Sequence, residues 1–298
     1  MRHGIVILPQ EDWPEAGRRW RKAEELGFDH AWTYDHLSWR GLAGERWHAT
    51  IPTLTAAAMV TDRIRLGTFV AGPNFRHPVP FAKDVATLDQ ISGGRVVLGL
   101  GSGGTGFDAY VLGQGELTSR ERYDRFREFT EALDVLLRFE GAPGGSGQGI
   151  SYSGDWFSAV GARMVGEPAQ EPRVPFLIAA NGPRSMRLAA RFGSGWVTTG
   201  PQADADDAWW SGVSELAARL DDACAAEGRD PADLDRVLSL DDEARYSMRS
   251  VAAFEDAVGR ARELGFTDVV VHRPREHGIY AGREDVLEDV GARLDALR

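Results

Sequence analysis

The stretch Ser92-Gly-Gly-Arg-Val-Val-Leu-Gly-Leu-Gly-Ser-Gly-Gly-Thr105 decides the fold of this chain. Its apolar middle, Arg95–Leu100, predicts a short buried strand that runs directly into a loop with almost no side chains. Glycine permits backbone angles that other residues avoid, and it lets a ligand approach the main chain closely. In α/β enzymes, a strand that ends in such a loop commonly holds a flat or phosphorylated cofactor. The pattern Gly-x-Gly-x-x-Gly, which Gly99, Gly101 and Gly104 also satisfy, is too common to choose a fold by itself.

The rest of the chain alternates between short apolar runs and amphipathic stretches. Asp12 followed by Glu15 has the spacing of a capping box and predicts the start of the first helix. Eight strand–helix units in 298 residues predict an α/β fold, a (β/α)8 TIM barrel, as a single domain over residues 1–298. The alternative, a doubly wound sheet, would place its glycine-rich loop after the first strand rather than the fourth. The predicted strands are Gly4–Leu8, Asp29–Tyr34, Ile64–Val70, Arg95–Leu100, Val174–Ala179, Gly195–Thr199, Val237–Leu240 and Thr267–His272.

One segment breaks the alternation. Residues 141–173 are rich in glycine and proline, and they include a predicted hairpin around Ile150–Ala159. Because strand–helix alternation resumes at Val174, we interpret this segment as an insertion into the barrel. We expect the glycine-rich run Gly141–Gly149 and the hairpin to form a mobile cover over the site.

Composition excludes several classes of partner. A net charge of −11, with Lys22 and Lys83 as the only lysines, argues against nucleic acid, which needs concentrated positive charge. Cys224 is the only cysteine, so neither an internal disulfide nor a thiolate metal cluster is expected. No apolar run approaches the roughly 20 residues of a membrane helix. We therefore expect a cytoplasmic protein that binds neither nucleic acid nor membranes.

The second strand leads to the candidate catalytic residues Asp35 and His36. Histidine can exchange a proton near neutral pH, and a neighbouring carboxylate can assist it. The alternative is a histidine that simply bonds to nearby backbone. Trp39 and Trp47 follow in the same loop and are candidates for the wall of an apolar substrate pocket, although either ring could instead pack the loop.

The next four strand ends supply candidate cofactor-binding residues, because barrel sites lie at the C-terminal ends of the strands. Ordinary strand–helix turn chemistry is the alternative for each. Arg76 and His77, which follow the third strand, are interpreted as caps of the next helix in preference to catalytic groups. The cofactor candidates are Phe69, Val70 and Gly72, then Gly101, Ser102, Gly103 and Gly104, then Ala179, Ala180, Asn181 and Gly182, and finally Thr198 and Thr199.

Several motifs together resemble the bacterial luciferase-like superfamily of flavin- and deazaflavin-dependent oxidoreductases. They occur in the family's order and cover nearly the whole chain. The motifs are Gly27-Phe28-Asp29 with Tyr34-Asp35-His36-Leu37, Ile64-Arg65-Leu66-Gly67-Thr68 with Arg76-His77-Pro78, Leu88-Asp89-Gln90-Ile91-Ser92-Gly93-Gly94-Arg95 with Gly99-Leu100-Gly101, and Ala179–Pro183 with Gly193-Ser194-Gly195-Trp196.

The resemblance implies a barrel that holds the ring of its cofactor at the C-terminal ends of the strands. It implies that Asp35 and His36 border the reactive edge of the ring, with His36 as proton donor or base. It also implies that Phe69 and Val70 form a bulge, often a non-proline cis peptide, behind the ring. The motifs favour coenzyme F420 and hydride transfer to or from a small-molecule substrate. The alternative is FMN, with oxygen activation and a separate flavin reductase. Members of the family commonly pair, so we expect a homodimer.

Other functions are weighed against this one. The related F420-dependent sugar-phosphate dehydrogenases use lysines and a glutamate in the fourth-strand loop. Here Gly104 stands at the glutamate's place, and both lysines fall on helices, so a sugar-phosphate substrate is not expected. A metal-dependent barrel hydrolase lacks its paired histidines, and no metal site is predicted. A non-catalytic flavin-binding protein would not need Asp35 and His36.

Overall fold

Strands and helices alternate through residues 1–138 and 149–298, the parts of the chain that this computed structural model describes. None of the helices within these ranges combines the length and apolar character that a bilayer span requires. The strands are β1 (Arg2–Val6), β2 (His30–Thr33), β3 (Arg65–Thr68), β4 (Val96–Leu100), β5 (Ile150–Ser153), β6 (Ser158–Ala162), β7 (Phe176–Ala179), β8 (Gly195–Thr198), β9 (Asp235–Ser239) and β10 (Asp268–His272). The helices are α1 (Trp13–Glu25), α2 (Thr50–Ala58), α3 (Pro78–Ser92), α4 (Ser119–Leu137), α5 (Pro183–Phe192), α6 (Asp206–Ala226), α7 (Val251–Glu263) and α8 (Glu284–Gly291).

A closed parallel barrel is formed by strands in the order β1-β10-β9-β8-β7-β4-β3-β2. β1 completes the circle, because Ile5 lies opposite both Ala31 of β2 and Val271 of β10. The predicted (β/α)8 barrel is therefore confirmed, and the doubly wound sheet, which stays open, is excluded. Because all eight strands are parallel, their C-terminal ends meet at one mouth.

The apolar core has one layer inside the barrel and another between the strands and the helices. Gly67 makes room for the inner layer, because a Cβ at that position would lie 2.3 Å from the indole of Trp32. Each fully buried large apolar side chain contributes roughly 1.5–3 kcal/mol to stability. The inner layer includes Val6, Trp32, Leu177, Val197, Val237 and Val270. The largest side chains of the outer layer include Trp20, Trp196, Trp209, Phe81, Phe126 and Phe129.

Helix α1 begins after Asp12 as predicted, but the expected capping box is absent. The Asp12 side chain makes no capping hydrogen bond and pairs instead with Arg46 at 2.7 Å. Glu15 is likewise engaged by Arg19 at 3.0 Å. Both carboxylates therefore form ion pairs with arginine side chains. The capping box had predicted backbone amides as their partners.

The predicted hairpin is present as the antiparallel pair β5–β6. Phe157 packs its ring 5.7 Å from that of Phe129 on α4. The Glu128 carboxylate accepts hydrogen bonds from the backbone amides of residues 155–157. The hairpin is therefore attached to α4, and the mobile cover that it was expected to form with the glycine-rich run stays a prediction. Residues 141–148 of the glycine-rich run lie outside the described residues.

Candidate functional site

A cavity of about 570 Å³ opens at the C-terminal ends of the barrel strands. This volume falls within the roughly 300–1,000 Å³ of small-molecule sites, and barrel enzymes place their active sites at this face. Of the predicted site residues, Asp35, Trp47 and Gly72 are not in its described lining. The predicted residues that do line it are His36, Trp39, Phe69, Val70, Gly101, Ser102, Gly103, Gly104, Ala179, Ala180, Asn181, Gly182, Thr198 and Thr199.

The glycine-rich loop after β4 presents bare backbone to this cavity and is supported from behind. Gly103 has a φ of 77°, and a Cβ there would lie 2.3 Å from Oδ1 of Asn74. Arg125 holds that asparagine, because its Nη2 donates to the same Oδ1 at 2.7 Å. A Cβ at Gly104, by contrast, would meet nothing within 4 Å. The open space at Gly104 leaves room for a ligand against the loop.

The segment after β3 stands beside this loop. The Phe69–Val70 peptide bond is cis, as the family resemblance implied. A Cβ at Gly101 would lie 2.5 Å from Cγ2 of Val70, so the valine can pack closely against the loop only because position 101 is glycine. A Cβ at Gly72 would lie 2.8 Å from the carbonyl oxygen of Gly101. Gly72 therefore permits the contact between the two loops and does not line the cavity, which corrects its predicted role as a ligand-binding residue.

The loops after β7 and β8 are fixed by hydrogen bonds to each other. The Thr198 hydroxyl donates to Oδ1 of Asn181 at 2.6 Å and accepts from the amide of Gly200 at 2.9 Å. The Asn181 side-chain amide donates to the Gly200 carbonyl at 3.0 Å. These polar groups thus shape the cavity wall. Helix α5 starts at Pro183, and its N-cap, Gly182, provides no side-chain cap, which leaves first-turn amides available to a ligand.

His36 is oriented by a carboxylate that the sequence did not reveal. Its Nδ1 lies 2.8 Å from Oδ2 of Asp108, and the same oxygen accepts from the amide of Leu37 at 2.9 Å. The Asp108 side chain is 4% exposed, whereas that of His36 is 24% exposed. A buried carboxylate bound to Nδ1 fixes the ring and leaves Nε2 as the nitrogen available to a ligand.

Asp35 has a structural role, contrary to its predicted catalytic one. Its side chain is fully buried, and it binds Arg76 through two hydrogen bonds of 2.6 and 2.7 Å. The pair joins the loop after β2 to the loop after β3 and so holds the backbone next to His36. His77 does cap α3 as predicted, because its Nδ1 accepts from the amide of Val79 at 3.3 Å. Arg76 does not cap α3, because its guanidinium donates to the carboxylate of Asp35.

The two tryptophans of the β2 loop differ in position. Trp39 lines the cavity as predicted. Trp47 packs against Tyr34, with ring centroids 6.3 Å apart, so its predicted place in the pocket wall is corrected to a packing contact. Tyr34 itself lines the cavity and lies edge-on to Trp39 at 5.2 Å.

Other polar side chains of the cavity were not predicted. Asp241, after β9, and Tyr280, after β10, line the same space as Tyr34. Burial raises the pKa of Tyr280 to about 12 and that of Tyr34 well above its ordinary value, so both phenols are protonated at neutral pH. Within the described ranges, no three His, Cys, Asp or Glu side chains are grouped as metal ligands.

The model of the luciferase-like monooxygenases matches residues 1–271. The chain belongs to that family. The resemblance found in the motifs is thereby confirmed, and with it the family's barrel.

Curated relatives of this luciferase-like chain are named for F420 or for a pterin substrate. This chain is 38% identical to the F420-dependent glucose-6-phosphate dehydrogenase of Beutenbergia cavernae over 179 residues. That match covers 59% of this chain and 50% of the enzyme. It is 33% identical over 262 residues to the F420-dependent hydroxymycolic acid dehydrogenase of Mycobacterium tuberculosis, 85% of this chain and 63% of that enzyme. It is 28% identical over 304 residues to the 5,10-methylenetetrahydromethanopterin reductase of Methanopyrus kandleri, 97% of this chain and 78% of that enzyme. The matched region thus spans about half of the Beutenbergia cavernae enzyme.

Solved structures share the fold over the full length of the luciferase-like chain. The coenzyme F420-dependent tetrahydromethanopterin reductase from Methanopyrus kandleri superposes with a TM-score of 0.76 at 19% identity, covering 100% of this chain and 99% of that one. An F420-dependent secondary alcohol dehydrogenase, solved with an F420–acetone adduct, gives 0.82 at 18% identity with the same coverage. At these identities the likeness establishes the fold.

Proposed function

We propose that this luciferase-like protein is an F420-dependent oxidoreductase that transfers a hydride between the cofactor and a small organic substrate at the C-terminal face of the barrel. The observation that carries the proposal is a cavity that combines a cradle of bare backbone with an oriented histidine, His36. The names of the curated relatives support F420 over FMN.

The cavity residues fit a flat ring. A Cβ at Gly104 would project into open space, and Val70 lies against Gly101, so a ring can contact both the loop backbone and an apolar side chain. We infer that Gly101–Gly104 and Val70 would hold the ring, and that Ala180–Gly182 would contact the remainder of the cofactor. When bound, the deazaflavin ring supplies or accepts the hydride.

We infer that His36 moves a proton at the reacting atom of the substrate. Asp108 accepts from Nδ1–H, so Nε2 of the neutral ring carries the lone pair that would take a proton from a substrate being oxidised. In the reverse direction, the same nitrogen would return the proton. Trp39 lines the same cavity as His36.

The first test is a fluorescence titration of the purified protein with F420 and with FMN. We expect micromolar binding of F420 and weak binding of FMN. His36→Ala should retain F420 binding and lose turnover in a screen of F420 reduction by small alcohols, whereas the exposed His48→Ala should keep both. Tight binding of FMN with no response to F420 would instead favour a monooxygenase served by a separate flavin reductase. Binding of neither contradicts the proposal.

We further infer that the protein works as a homodimer, as its resemblance to paired luciferase-like barrels suggests. Light scattering on the purified chain should give twice the mass of one chain, 32.6 kDa. A monomeric mass at micromolar concentration would contradict this inference and leave the proposed chemistry unaffected.

A further inference from the structure

The cavity has two chemically different halves. Four places around the closed strand order separate β4 from β10, so they lie on opposite sides of the barrel. The β4 side carries the glycine-rich loop. The side formed by β9, β10 and β2 carries a group of buried polar side chains, here called the polar wall, which consists of Tyr34, Asp241, His272 and Tyr280. A ring held against the glycine-rich loop would therefore have its substrate between itself and the polar wall.

The polar wall is one continuous chain of hydrogen bonds. The Tyr34 hydroxyl lies 2.7 Å from Nε2 of His272 and 3.1 Å from the Tyr280 hydroxyl. Nδ1 of His272 lies 3.3 Å from Oδ2 of Asp241. All four residues are at least nine-tenths buried. Tyr34, Asp241 and Tyr280 line the cavity, while His272 lies behind them.

The partners of Asp241 determine the direction of these hydrogen bonds. Oδ1 accepts from both the amide and the hydroxyl of Ser247, each at 2.7 Å, and Oδ2 accepts from the amide of His272 at 2.6 Å. A carboxylate that serves these donors is an acceptor for Nδ1–H of His272 as well. With its proton on Nδ1, the ring presents the lone pair of Nε2 to the Tyr34 hydroxyl, which donates to it and in turn accepts from Tyr280.

This order leaves the phenol oxygen of Tyr280 with lone pairs and no proton to offer the cavity. The structure also holds that residue in the left-handed backbone region, with a φ of 61°, which non-glycine residues rarely adopt. Its ring stacks on His272 at 3.8 Å between centroids. The phenol of Tyr280 is thus held by the stacked ring of His272 and by the hydroxyl of Tyr34.

The charges around the polar wall also disfavour an anion. Arg40 is the one cationic side chain in the described lining, and its Nη1 lies 3.4 Å from the carboxylate of Glu243. Asp241 and Asp242 are on the same side of the cavity. A phosphate placed there would face carboxylates and an oxygen that can only accept.

We propose that the polar wall is the substrate-recognition surface of this enzyme, and that its Tyr34–Tyr280 pair accepts a hydrogen bond from a non-reacting hydroxyl group of an uncharged substrate. The inference rests on the proposed function, since it assigns the substrate side of the same cavity. It selects uncharged hydroxyl compounds over ethers, which cannot donate, and over phosphate esters. Tyr34 and Tyr280 act here as specificity residues, and His272 and Asp241 as positioning residues.

The test compares three probes that share a cyclohexane ring and differ in its oxygen substituent: cyclohexanol, methoxycyclohexane and cyclohexyl phosphate. Their dissociation constants are measured by ligand-detected NMR titration, with and without F420. We expect cyclohexanol to bind about fivefold more tightly than the ether, which is the value of one hydrogen bond, and the phosphate to bind most weakly. In Tyr280→Phe and Tyr34→Phe the rings remain but the alcohol-to-ether ratio should fall to about one. Tyr152→Phe, in the hairpin and outside the cavity lining, is the matched control and should keep the ratio.

Separate outcomes identify which inference fails. Equal binding of alcohol and ether by the unmodified protein, tighter binding of the phosphate, or no binding of any probe overturns the role of the polar wall. So does a ratio that Tyr280→Phe leaves unchanged. Failure of the proposed function would appear instead as no binding of F420 by the unmodified protein, and the probe series without cofactor would still report on the polar wall.

Discussion

Mild acid should destabilise this barrel through one buried histidine. His3 lies in β1, is fully buried, and packs its ring 6.0 Å from that of Phe254. Neither ring nitrogen has a hydrogen-bond partner among the described residues. Burial lowers the pKa of His3 to about 4, and the attraction of Asp29, whose carboxylate is 4.0 Å from Nδ1, only partly opposes it. The folded protein therefore resists a proton that the unfolded chain accepts.

The sign and size of the effect follow from this difference. The unfolded chain binds the proton near pH 6.5 and the folded chain only near pH 4, so stability falls as the pH drops through that interval. The linkage relation gives a loss of about 2 kcal/mol between pH 7 and pH 5. Unfolding free energies from urea titrations at both pH values should show this loss in the unmodified protein and its absence in His3→Leu. At pH 7 the leucine should be tolerated, because its volume is similar and it removes two unsatisfied nitrogens.

His48→Leu provides the control, because this exposed histidine should not change the pH dependence. The comparison cancels the contributions of carboxylates that all three proteins share. If His3→Leu loses as much stability as the unmodified protein between pH 7 and pH 5, then burial of the His3 ring is not the source of the acid sensitivity, and the reasoning is refuted.

Three further substitutions test the site and its support. Asp108→Asn should lower turnover about tenfold to a hundredfold, because His36 loses a charge-assisted hydrogen bond, and should leave F420 binding unchanged in a fluorescence titration; an unchanged kcat would contradict this role. Arg76→Met should cost about 3–5 kcal/mol in urea unfolding, because it strands the buried carboxylate of Asp35; adding Asp35→Asn should recover part of that loss, and strictly additive losses would contradict the pairing. Gly104→Val should weaken F420 binding at least about tenfold while changing the unfolding free energy by less than about 1 kcal/mol, and unaltered F420 binding would argue against the cradle.

The glycine-rich half of the cavity was predictable because its signal is local. A strand that ends in glycines needs no knowledge of distant residues, and the barrel rule places every strand end at one mouth. Gly101–Gly104 and Ala179–Gly182 line the cavity for that reason. Gly72 shows the limit of this prediction, because a glycine in such a loop can make room for another loop rather than for a ligand. Only its close contact with Gly101 shows which of these roles it has.

The side chains with the clearest chemical roles were harder to predict because their partners are remote. Asp108 is 72 residues from His36, and Arg76 is 41 residues from Asp35. From sequence, Asp35 beside His36 suggests a catalytic pair, yet the two side chains bind different partners, Arg76 and Asp108. The carboxylate that binds His36 is that of Asp108, which comes from another loop. The carboxylate of the neighbouring Asp35 binds Arg76 instead.

The polar wall shows how barrel closure creates a site that sequence order conceals. β2 and β10 both flank β1, so Tyr34 and His272 meet although 238 residues separate them. The strand-end rule does reach Asp241 and His272, which follow or close the last two strands, but no motif marks them. The family match ends at residue 271, immediately before His272 and before Tyr280. The glycine-rich side of the cavity thus lies within the residues that the family model matches, whereas part of the polar wall lies beyond them. Loops at one side of a barrel mouth can change while those at the other side are kept, and the proposed separation of cofactor and substrate uses that freedom.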